Sequence, residues 1–377
     1  MTTHQINQHF TGMPYKFKYT TYALLVAILC LLQCTPAPKP PDAGVFKHST
    51  FSSPHAGAIT VPYSFYTAEY GTDDLQTLDL FIPHVLPAGN PSHPILMHIH
   101  GGGFVLGNKD NIYTQASKMA VVAEALNHGL AFVNINYRLL NNSDGLNVLD
   151  KCLADVRYAL QFIRYHANTP GIYLNKDKVV LWGESAGASS AFFLAFSDEM
   201  STATIDPVTS ESTRVRAVWA QQTQATLDPE EWPGIFTNVP TDTIGMISLT
   251  LNDIVDILGV PRVRAIYGIP TGTNISTWLA ANQPMVDQLD FLNAIGPDDP
   301  PFWITHENIP EELPNDVTLI PDEVLNHHPY HSKALLDKAT GVITVYARIV
   351  PLNIDNTTST PDELKEAIDF LIDKAVN

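Results

Sequence analysis

Cysteine is scarce in this chain, whose 377 residues include three of them. Cys30 and Cys34 lie in an apolar N-terminal stretch, and the remaining cysteine is Cys152. A single thiol excludes an intramolecular disulfide in the rest of the chain. Cys152 falls on an apolar stripe with helical spacing, so we expect a buried structural thiol. No Cys/His cluster has the spacing of a zinc site, and we expect neither a metal nor another cofactor.

Positive charge is also scarce. The sequence has 21 Lys and Arg residues against 39 Asp and Glu residues, for a formal net charge of -18. Affinity for nucleic acid depends on neutralising phosphates, so this composition argues against a nucleic-acid partner. The excess negative charge favours solubility and disfavours strongly anionic ligands through long-range repulsion.

The apolar run at the N-terminus, from Tyr22 to Leu32, is too short to span a bilayer comfortably. It follows two lysines and ends just before Cys34, which is the pattern of a cleaved export signal. The four residues that end at Cys34 resemble a bacterial lipobox, in which Cys34 would be the lipidated first residue of the mature chain. An ordinary cleaved signal peptide is the alternative.

We therefore predict a signal peptide over residues 1–34, a tether over 35–56 and a folded domain over 57–377. Four prolines between positions 36 and 41 make the tether stiff and extended. The protein is expected to be exported, and a lipid on Cys34 would anchor it to a membrane in the periplasm or at the cell surface. Without the lipid it would be secreted.

The rest of the sequence is organised around residues 183–187, which read Gly-Glu-Ser-Ala-Gly. An apolar run precedes them and a helix-like run follows, so a strand, a tight turn and a helix are implied. The two glycines permit a turn so sharp that the Ser185 hydroxyl stands exposed above the sheet, at the positive end of the next helix. This pattern is typical of a nucleophile elbow.

A second glycine motif, His-Gly-Gly-Gly-Phe at residues 100–104, comes directly after the apolar strand Ile95 to Ile99. Its glycines leave backbone N–H groups available to donate to a developing oxyanion. We predict an oxyanion hole formed by the N–H groups of Gly101, Gly102 and Ala186, the last being the residue after the nucleophile. His100 is expected to orient this glycine loop.

With both motifs in place, the sequence resembles the α/β-hydrolase superfamily, and within it the carboxylesterases and hormone-sensitive-lipase-like esterases. The resemblance extends over roughly residues 60–230, including Leu78–Pro83 and Tyr137–Leu139, and is looser from residue 284 onwards. It implies an α/β-hydrolase fold and a carboxylic-ester hydrolase that acts through an acyl-enzyme on Ser185. The expected substrates are small or medium esters, acylated sugars among them.

The order of predicted elements agrees with that fold. Two strands within residues 58–83 start the sheet antiparallel, and the strands that follow alternate with helices, which predicts a mostly parallel, doubly wound sheet flanked by helices. The alternation lapses between about residues 229 and 282, which we interpret as an inserted cap. We also expect helices over 285–295 and 361–375, with Thr360 as the N-cap of the second.

The acid of the expected Ser-His-acid triad has no obvious candidate. The resemblance places it after the strand at residues 301–305, but the turn there lacks an aspartate. Glu307 is the prediction because it lies closest to the strand end, and Glu311 and Asp316 are the alternatives. His306, at the end of the same strand, is expected to be a packed core histidine.

The histidine base of the triad is also absent from the position that the resemblance implies. The resemblance places it between the last strand and the terminal helix, where residues 351–360 contain no histidine. Histidines 327, 328 and 331 form a cluster just before the helix that follows the turn with the candidate acids. We predict His328 as a relocated base.

Two functions therefore remain open. One is an exported serine esterase, and the other is a surface binding protein with an α/β-hydrolase fold that lacks the usual triad histidine.

Overall fold

The computed structural model describes residues 44–140, 148–243, 245–306, 309–355 and 363–377. The predicted signal peptide, Cys34, residues 35–43 of the tether, Glu307 and Thr360 lie outside these residues. Among the helices in the described ranges, none is both long enough and apolar enough to cross a membrane.

The described residues form one large sheet and one small hairpin. In the large sheet the first strands pair antiparallel and the middle strands pair parallel, as expected. The last strand along the chain also pairs antiparallel, which was not predicted. The strands are β1 (Lys47–Ser49), β2 (Tyr63–Glu69), β3 (Thr77–Pro83), β4 (His93–Ile99), β5 (Ala131–Ile135), β6 (Leu174–Glu184), β7 (Ala217–Gln221), β8 (Val239–Pro240), β9 (Met246–Ile247), β10 (Phe302–His306), β11 (Val345–Ile349) and β12 (Ile354–Asp355).

The large sheet has the order β1-β2-β3-β5-β4-β6-β7-β10-β11-β12, and β8 pairs with β9 outside it. Helices connect the parallel strands. The helices are α1 (Ala116–Asn127), α2 (Val148–Tyr165), α3 (Ala186–Phe196), α4 (Trp232–Ile235), α5 (Leu251–Leu258), α6 (Val260–Tyr267), α7 (Ile275–Ala281), α8 (Gln283–Val286), α9 (Phe291–Ala294), α10 (Asp322–Asn326), α11 (Pro329–Ala339) and α12 (Glu363–Val376).

The sheet has a hydrophobic core on each face, because successive side chains of a strand point to opposite faces. On β6, Leu181 joins the core under α2 and α3, and Trp182 joins the core under α1 and α12. Every residue of β4 is buried, as expected for a central parallel strand covered on both sides. Cys152 is fully buried in the first of these cores, which confirms the prediction.

Residues 44–56 do not behave as a tether, contrary to the predicted boundary. β1 pairs antiparallel with β2, and Phe46 is buried in the core. The Phe51 ring lies 4.8 Å from the ring of Phe81 on β3. The sequence pattern did not reveal this because a three-residue edge strand gains its stability from pairing with a distant strand.

The stretch 285–295 was predicted to be one helix, but the structure divides it. α8 is followed by a 3-10 turn, Asp287–Leu289, and then by α9. The Asp290 side chain accepts a hydrogen bond from the N–H of Asn293 at 3.2 Å and so starts a new helix. Aspartate competes in this way for backbone donors, which is why it favours helix starts over helix interiors.

The cap is made from two parts of the chain. Residues 229–282 contain α4 to α7 and the β8–β9 hairpin, and their own apolar cluster contains Trp232, Phe236 and Ile254. Leu313 and Leu325 from the second part, residues 309–326, pack into the same cluster. The cap therefore includes the segment that leads directly into the histidine cluster.

Candidate active site

Ser185 is held at the sharp turn between β6 and α3. Its backbone has φ 49° and ψ -120°, a conformation that few non-glycine residues adopt. The Ser185 N–H donates to the carbonyl of Gln221 on β7 at 2.9 Å, which fixes the strained turn to the neighbouring strand. Such strain persists only where the surroundings determine it, and it is typical of functional sites.

The two glycines of the motif are required by close backbone contacts. A Cβ atom on Gly183 would lie 2.4 Å from the Gly187 carbonyl oxygen, and one on Gly187 would lie 2.1 Å from the Ile99 carbonyl oxygen. Neither position can hold a side chain without moving backbone. The contact with Ile99 also fixes the elbow against the end of β4, where the second glycine motif begins.

The glycine loop after β4 lies beside Ser185. A Cβ atom on Gly101 would be 3.3 Å from Ser185 Cβ. Among the described hydrogen bonds, the N–H groups of Gly101 and Gly102 donate to no acceptor. The N–H of Ala186 is in the first turn of α3, where helical donors lack partners. Three donors thus lie where an oxyanion hole was predicted.

His100 stabilises this loop, in the role expected from the sequence. Its ring stacks on that of Tyr137 with centroids 4.4 Å apart, and the Tyr137 hydroxyl donates to the His100 carbonyl at 2.9 Å. His100 Nδ1 lies 2.7 Å from the Gly101 carbonyl oxygen. Burial lowers the pKa of His100, and the hydrogen bond to Gly101 partly opposes this shift.

The histidine beside the Ser185 hydroxyl is His327. Its Nε2 lies 2.7 Å from Ser185 Oγ, within hydrogen-bond distance. His327 terminates α10, where its backbone N–H donates to the Glu323 carbonyl at 3.1 Å. Burial lowers the pKa of the imidazole, and the Glu323 carboxylate raises it in part. The ring is therefore uncharged near neutral pH, the state in which it can accept a proton.

Ser185 and His327 open into a cavity of about 610 Å³. The glycine loop and the cap both line it. Four of the charged side chains around it form two ion pairs, Lys118 with Glu184 and Arg262 with Asp322, and Glu323 also lines the cavity. No group of three or more described His, Cys, Asp and Glu side chains is arranged to hold a metal ion. The cap residues that line the cavity include Trp232, Leu258, Arg262, Val263, Ile266 and Tyr267.

A model of the BD-FAE family matches residues 78–318, more than half of the chain. The chain belongs to the BD-FAE family. The match includes the elbow, the glycine loop and most of the cap, but it ends before His327.

Curated relatives match shorter stretches. Tuliposide A-converting enzyme 2 of Tulipa gesneriana is 28% identical over 120 residues, which cover 31% of this chain and 30% of that enzyme. An AB hydrolase superfamily protein of Schizosaccharomyces pombe is 30% identical over 151 residues, which cover 40% of this chain and 39% of that protein. The chain thus spans well under half the length of these relatives.

Solved structures show the same fold. A carbohydrate esterase from gut microbiota matches with a TM-score of 0.57 at 16% identity, over 86% of this chain and 100% of that one. Esterase B from Lactobacillus rhamnosis matches with a TM-score of 0.51 at 17% identity, over 96% of this chain and 95% of that one. This family member therefore has the α/β-hydrolase fold that its motifs predicted.

His328 is not the histidine at Ser185, which corrects the prediction by one residue. Its side chain is fully buried, and Nε2 donates to the Glu311 carbonyl at 2.9 Å. Nδ1 accepts from the N–H of Tyr330 at 3.3 Å and so caps α11. Both ring nitrogens of His328 are therefore hydrogen-bonded, one to the cap and the other to the start of α11. The chain turns between α10 and α11, so the two adjacent histidines have different surroundings.

The alternative acids do not contact His327. The Glu311 carboxylate accepts from the Tyr330 hydroxyl at 3.1 Å. Asp316 accepts from the N–H of Thr318 at 3.0 Å and starts a short 3-10 turn. Glu307 lies outside the described residues, so its assignment as the acid stays a prediction.

Gln224, which was not predicted, and His331, another member of the histidine cluster, fix the position of His327. The Gln224 amide donates to the Asn326 carbonyl at 2.8 Å and accepts from the Ser189 hydroxyl at 2.6 Å. His331 Nε2 donates to the Leu325 carbonyl at 3.2 Å. The carbonyls of the two residues before His327 are thus held by buried side chains. The sequence signal for Gln224 is its position shortly after the end of β7, and this signal is weak.

His306 is a packed core histidine, as expected. Its side chain is fully buried, and Nδ1 lies 3.2 Å from the Ser332 hydroxyl on α11. Burial lowers its pKa to about 3. His306 thus joins β10 to the helix that follows the histidine cluster.

Proposed function

We propose that this protein hydrolyses carboxylic esters through an acyl-enzyme on Ser185, with His327 as the general base. The observation that carries the proposal is the 2.7 Å separation of Ser185 Oγ and His327 Nε2. A serine hydroxyl is a poor nucleophile until a neighbouring base removes its proton, and this distance is right for that transfer. The base comes from a different loop than in the resembled esterases.

The proposed reaction has two halves. Ser185 Oγ attacks the ester carbonyl carbon while His327 Nε2 takes the hydroxyl proton, and the N–H groups of Gly101, Gly102 and Ala186 stabilise the oxyanion. His327 then returns the proton to the leaving alcohol oxygen as its bond to the carbonyl carbon breaks. A water molecule, deprotonated by His327, then attacks the acyl carbonyl carbon. The bond from that carbon to Ser185 Oγ breaks, His327 returns the proton to Oγ, and the carboxylic acid is released.

Several observations support an ester substrate of small or medium size. The cavity of about 610 Å³ lies in the range of pockets for small organic molecules. Family membership and a strained serine beside unused backbone donors favour hydrolase chemistry. Solved structures with this fold include a carbohydrate esterase from gut microbiota and esterase B from Lactobacillus rhamnosis.

The alternative, a binding protein without a working base, was based on the empty histidine position after the last strand. The imidazole of His327 at Ser185 Oγ favours the esterase over that alternative. The two functions are separated by the experiment that follows.

The test uses the purified chain without its predicted leader. We expect it to hydrolyse p-nitrophenyl acetate and to be labelled by a fluorophosphonate probe, and we expect Ser185→Ala to abolish both. Ser190→Ala is a matched control, since the Ser190 hydroxyl donates to the Ala186 carbonyl within α3. A correctly folded wild-type protein that neither turns over esters nor reacts with the probe would contradict the proposal.

We also propose that the protein is exported and anchored by a lipid on Cys34, from the short apolar run and the lipobox-like residues before it. The ligand would be a small ester, and the lipid on Cys34 would attach the protein to a membrane. In an exporting bacterial host, the wild type should fractionate with membranes and Cys34→Ala should not. One acyl chain binds reversibly, so stable attachment implies more than one chain. Unchanged fractionation of the variant would exclude lipidation at Cys34.

A further inference from the structure

An ion pair from the cap lies at one side of the nucleophile. Arg262 is on α6, and Asp322 is on α10, the short helix that ends at His327. Arg262 Nη1 donates to Asp322 Oδ2 at 2.7 Å, and both side chains line the same cavity as Ser185. The reaction proposed above uses neither residue.

This pair keeps hydrogen-bonding capacity for a ligand. The described bond of the Arg262 guanidinium uses Nη1, while Nε is buried without a described partner. Nη2 lies beside the glycine loop, because a Cβ atom on Gly103 would be 2.8 Å from it. Asp322 Oδ1 accepts from the N–H of Glu323 at 2.9 Å, and a carboxylate oxygen can accept two hydrogen bonds. The pair can therefore donate and accept at adjacent positions.

The reaction direction places the alcohol part of the ester near this pair. His327 returns its proton to the leaving alcohol oxygen, so the alcohol must lie on the His327 side of Ser185. Asp322 is on the helix that ends at His327. Arg262 is close enough to influence the His327 ring, whose pKa is lowered first by burial and also by the Arg262 charge. The leaving alcohol thus faces a donor and an acceptor.

We propose that Arg262 and Asp322 form a specificity-determining pair that binds hydroxyl groups on the alcohol of the ester, so that polyol esters are preferred. The inference rests on the proposed function. One hydroxyl accepts from Arg262 and a neighbouring hydroxyl donates to Asp322. A neutral alcohol fits better than an anionic one, because Glu323 lines the cavity in addition to the two ion pairs, and the formal net charge is -18.

The test compares two esters with the same acyl group and carbon skeleton. These are 1-acetylglycerol, which carries two hydroxyls on its alcohol, and propyl acetate, which carries none. The wild type is expected to have the higher kcat/KM with 1-acetylglycerol. Arg262→Met should lower the ratio of the two kcat/KM values about tenfold or more, the effect of losing one charge-assisted hydrogen bond. Methyl 6-O-acetylglucoside as a third substrate distinguishes a sugar from glycerol as the preferred polyol.

Arg264→Met is the matched control. It removes the same charge from α6, but the Arg264 guanidinium donates to the carbonyls of Pro270 and Thr273 within the cap. The ratio should not change in this variant. Asp322→Ala should lower the ratio too, and the double variant should lose less than the sum of the two effects, because the residues act as one pair.

The outcomes separate this inference from the proposed function. If Arg262→Met leaves the ratio unchanged, or lowers kcat/KM equally for both esters, the hydroxyl-binding role is wrong while the esterase function stands. If the wild type hydrolyses none of the esters and the fluorophosphonate does not label Ser185, the proposed function fails and this inference fails with it.

Discussion

The proposed nucleophile and the proposed base are held by different kinds of contact. Ser185 is fixed by backbone atoms, since Gly183 and Gly187 leave no room for a side chain and the Ser185 N–H is bound to Gln221. His327 is fixed by side chains, since Gln224 and His331 hold the carbonyls of the two residues before it. The first arrangement is complete within a few residues of the elbow and the two strands adjacent to β6. The second depends on groups far apart in the chain.

This difference predicts how each half responds to change. Backbone contacts in the elbow tolerate almost no added volume, because the atoms that would clash belong to a packed parallel sheet. The five-residue helix before His327 is smaller and is held by hydrogen bonds to a few buried side chains. A change there should move the base without unfolding the domain.

The largest expected effect separates the two adjacent histidines. His327→Ala should lower kcat by about 10⁴- to 10⁶-fold, nearly as far as Ser185→Ala, because members of a catalytic unit do not contribute additively. His328→Ala removes the N-cap of α11, which costs about 1 kcal/mol of stability, and should retain far more activity. Steady-state kinetics with p-nitrophenyl acetate and thermal melts measure both effects. Equal loss in the two variants would reject His327 as the base.

The next largest effect is expected from a substitution in the elbow, whose position is fixed by backbone contacts. Gly187→Ala adds a Cβ atom 2.1 Å from the Ile99 carbonyl oxygen, so the free energy of unfolding should fall by about 3 kcal/mol or more. Gly234→Ala is the matched control, because no atom lies within 4 Å of the added Cβ there. Chemical denaturation measures both. A Gly187→Ala protein as stable as the wild type would show that the elbow can relax.

A smaller effect is expected from loosening the side-chain-held half. Gln224→Met removes the hydrogen bond to Asn326, and a base displaced by about 1 Å loses about 100-fold in rate. We expect kcat to fall by about 10- to 100-fold while KM changes little. Gln161→Met is the control, since Gln161 is equally buried but bonds to the carbonyls of Thr209 and Glu211. If both variants lose the same activity, Gln224 has only a structural role.

The smallest effect concerns pH. Burial lowers the pKa of His327 below 6.5, and the Glu323 carboxylate opposes this in part. The neutral ring is the base, so kcat/KM should rise with pH to a plateau, with a midpoint below 6.5. Glu323→Gln should lower the midpoint further, because it removes a charge that favours the protonated ring. Asp369→Asn, on α12 outside the cavity, should leave it unchanged. A wild-type midpoint above 6.5 would contradict the assignment.

Much of the fold and half of the site follow from local sequence. Apolar runs that end in glycine motifs predicted β4 and β6, the parallel sheet, Ser185 and the glycine loop. These predictions succeed because a strand, a turn and the start of a helix are determined by residues that are neighbours in the chain. The predicted role of His100 was also correct, since it contacts the loop that it belongs to.

The sequence identified a histidine cluster, and the tertiary structure decided which member reaches the nucleophile. His327 and His328 are adjacent, so composition and spacing cannot tell them apart. The chain turns between α10 and α11, and Gln224, which is 102 residues from Asn326, holds the end of α10 beside Ser185. The strand at residues 47–49 was missed for the same reason. A short segment takes its position from long-range contacts, and those are not contained in its own residues.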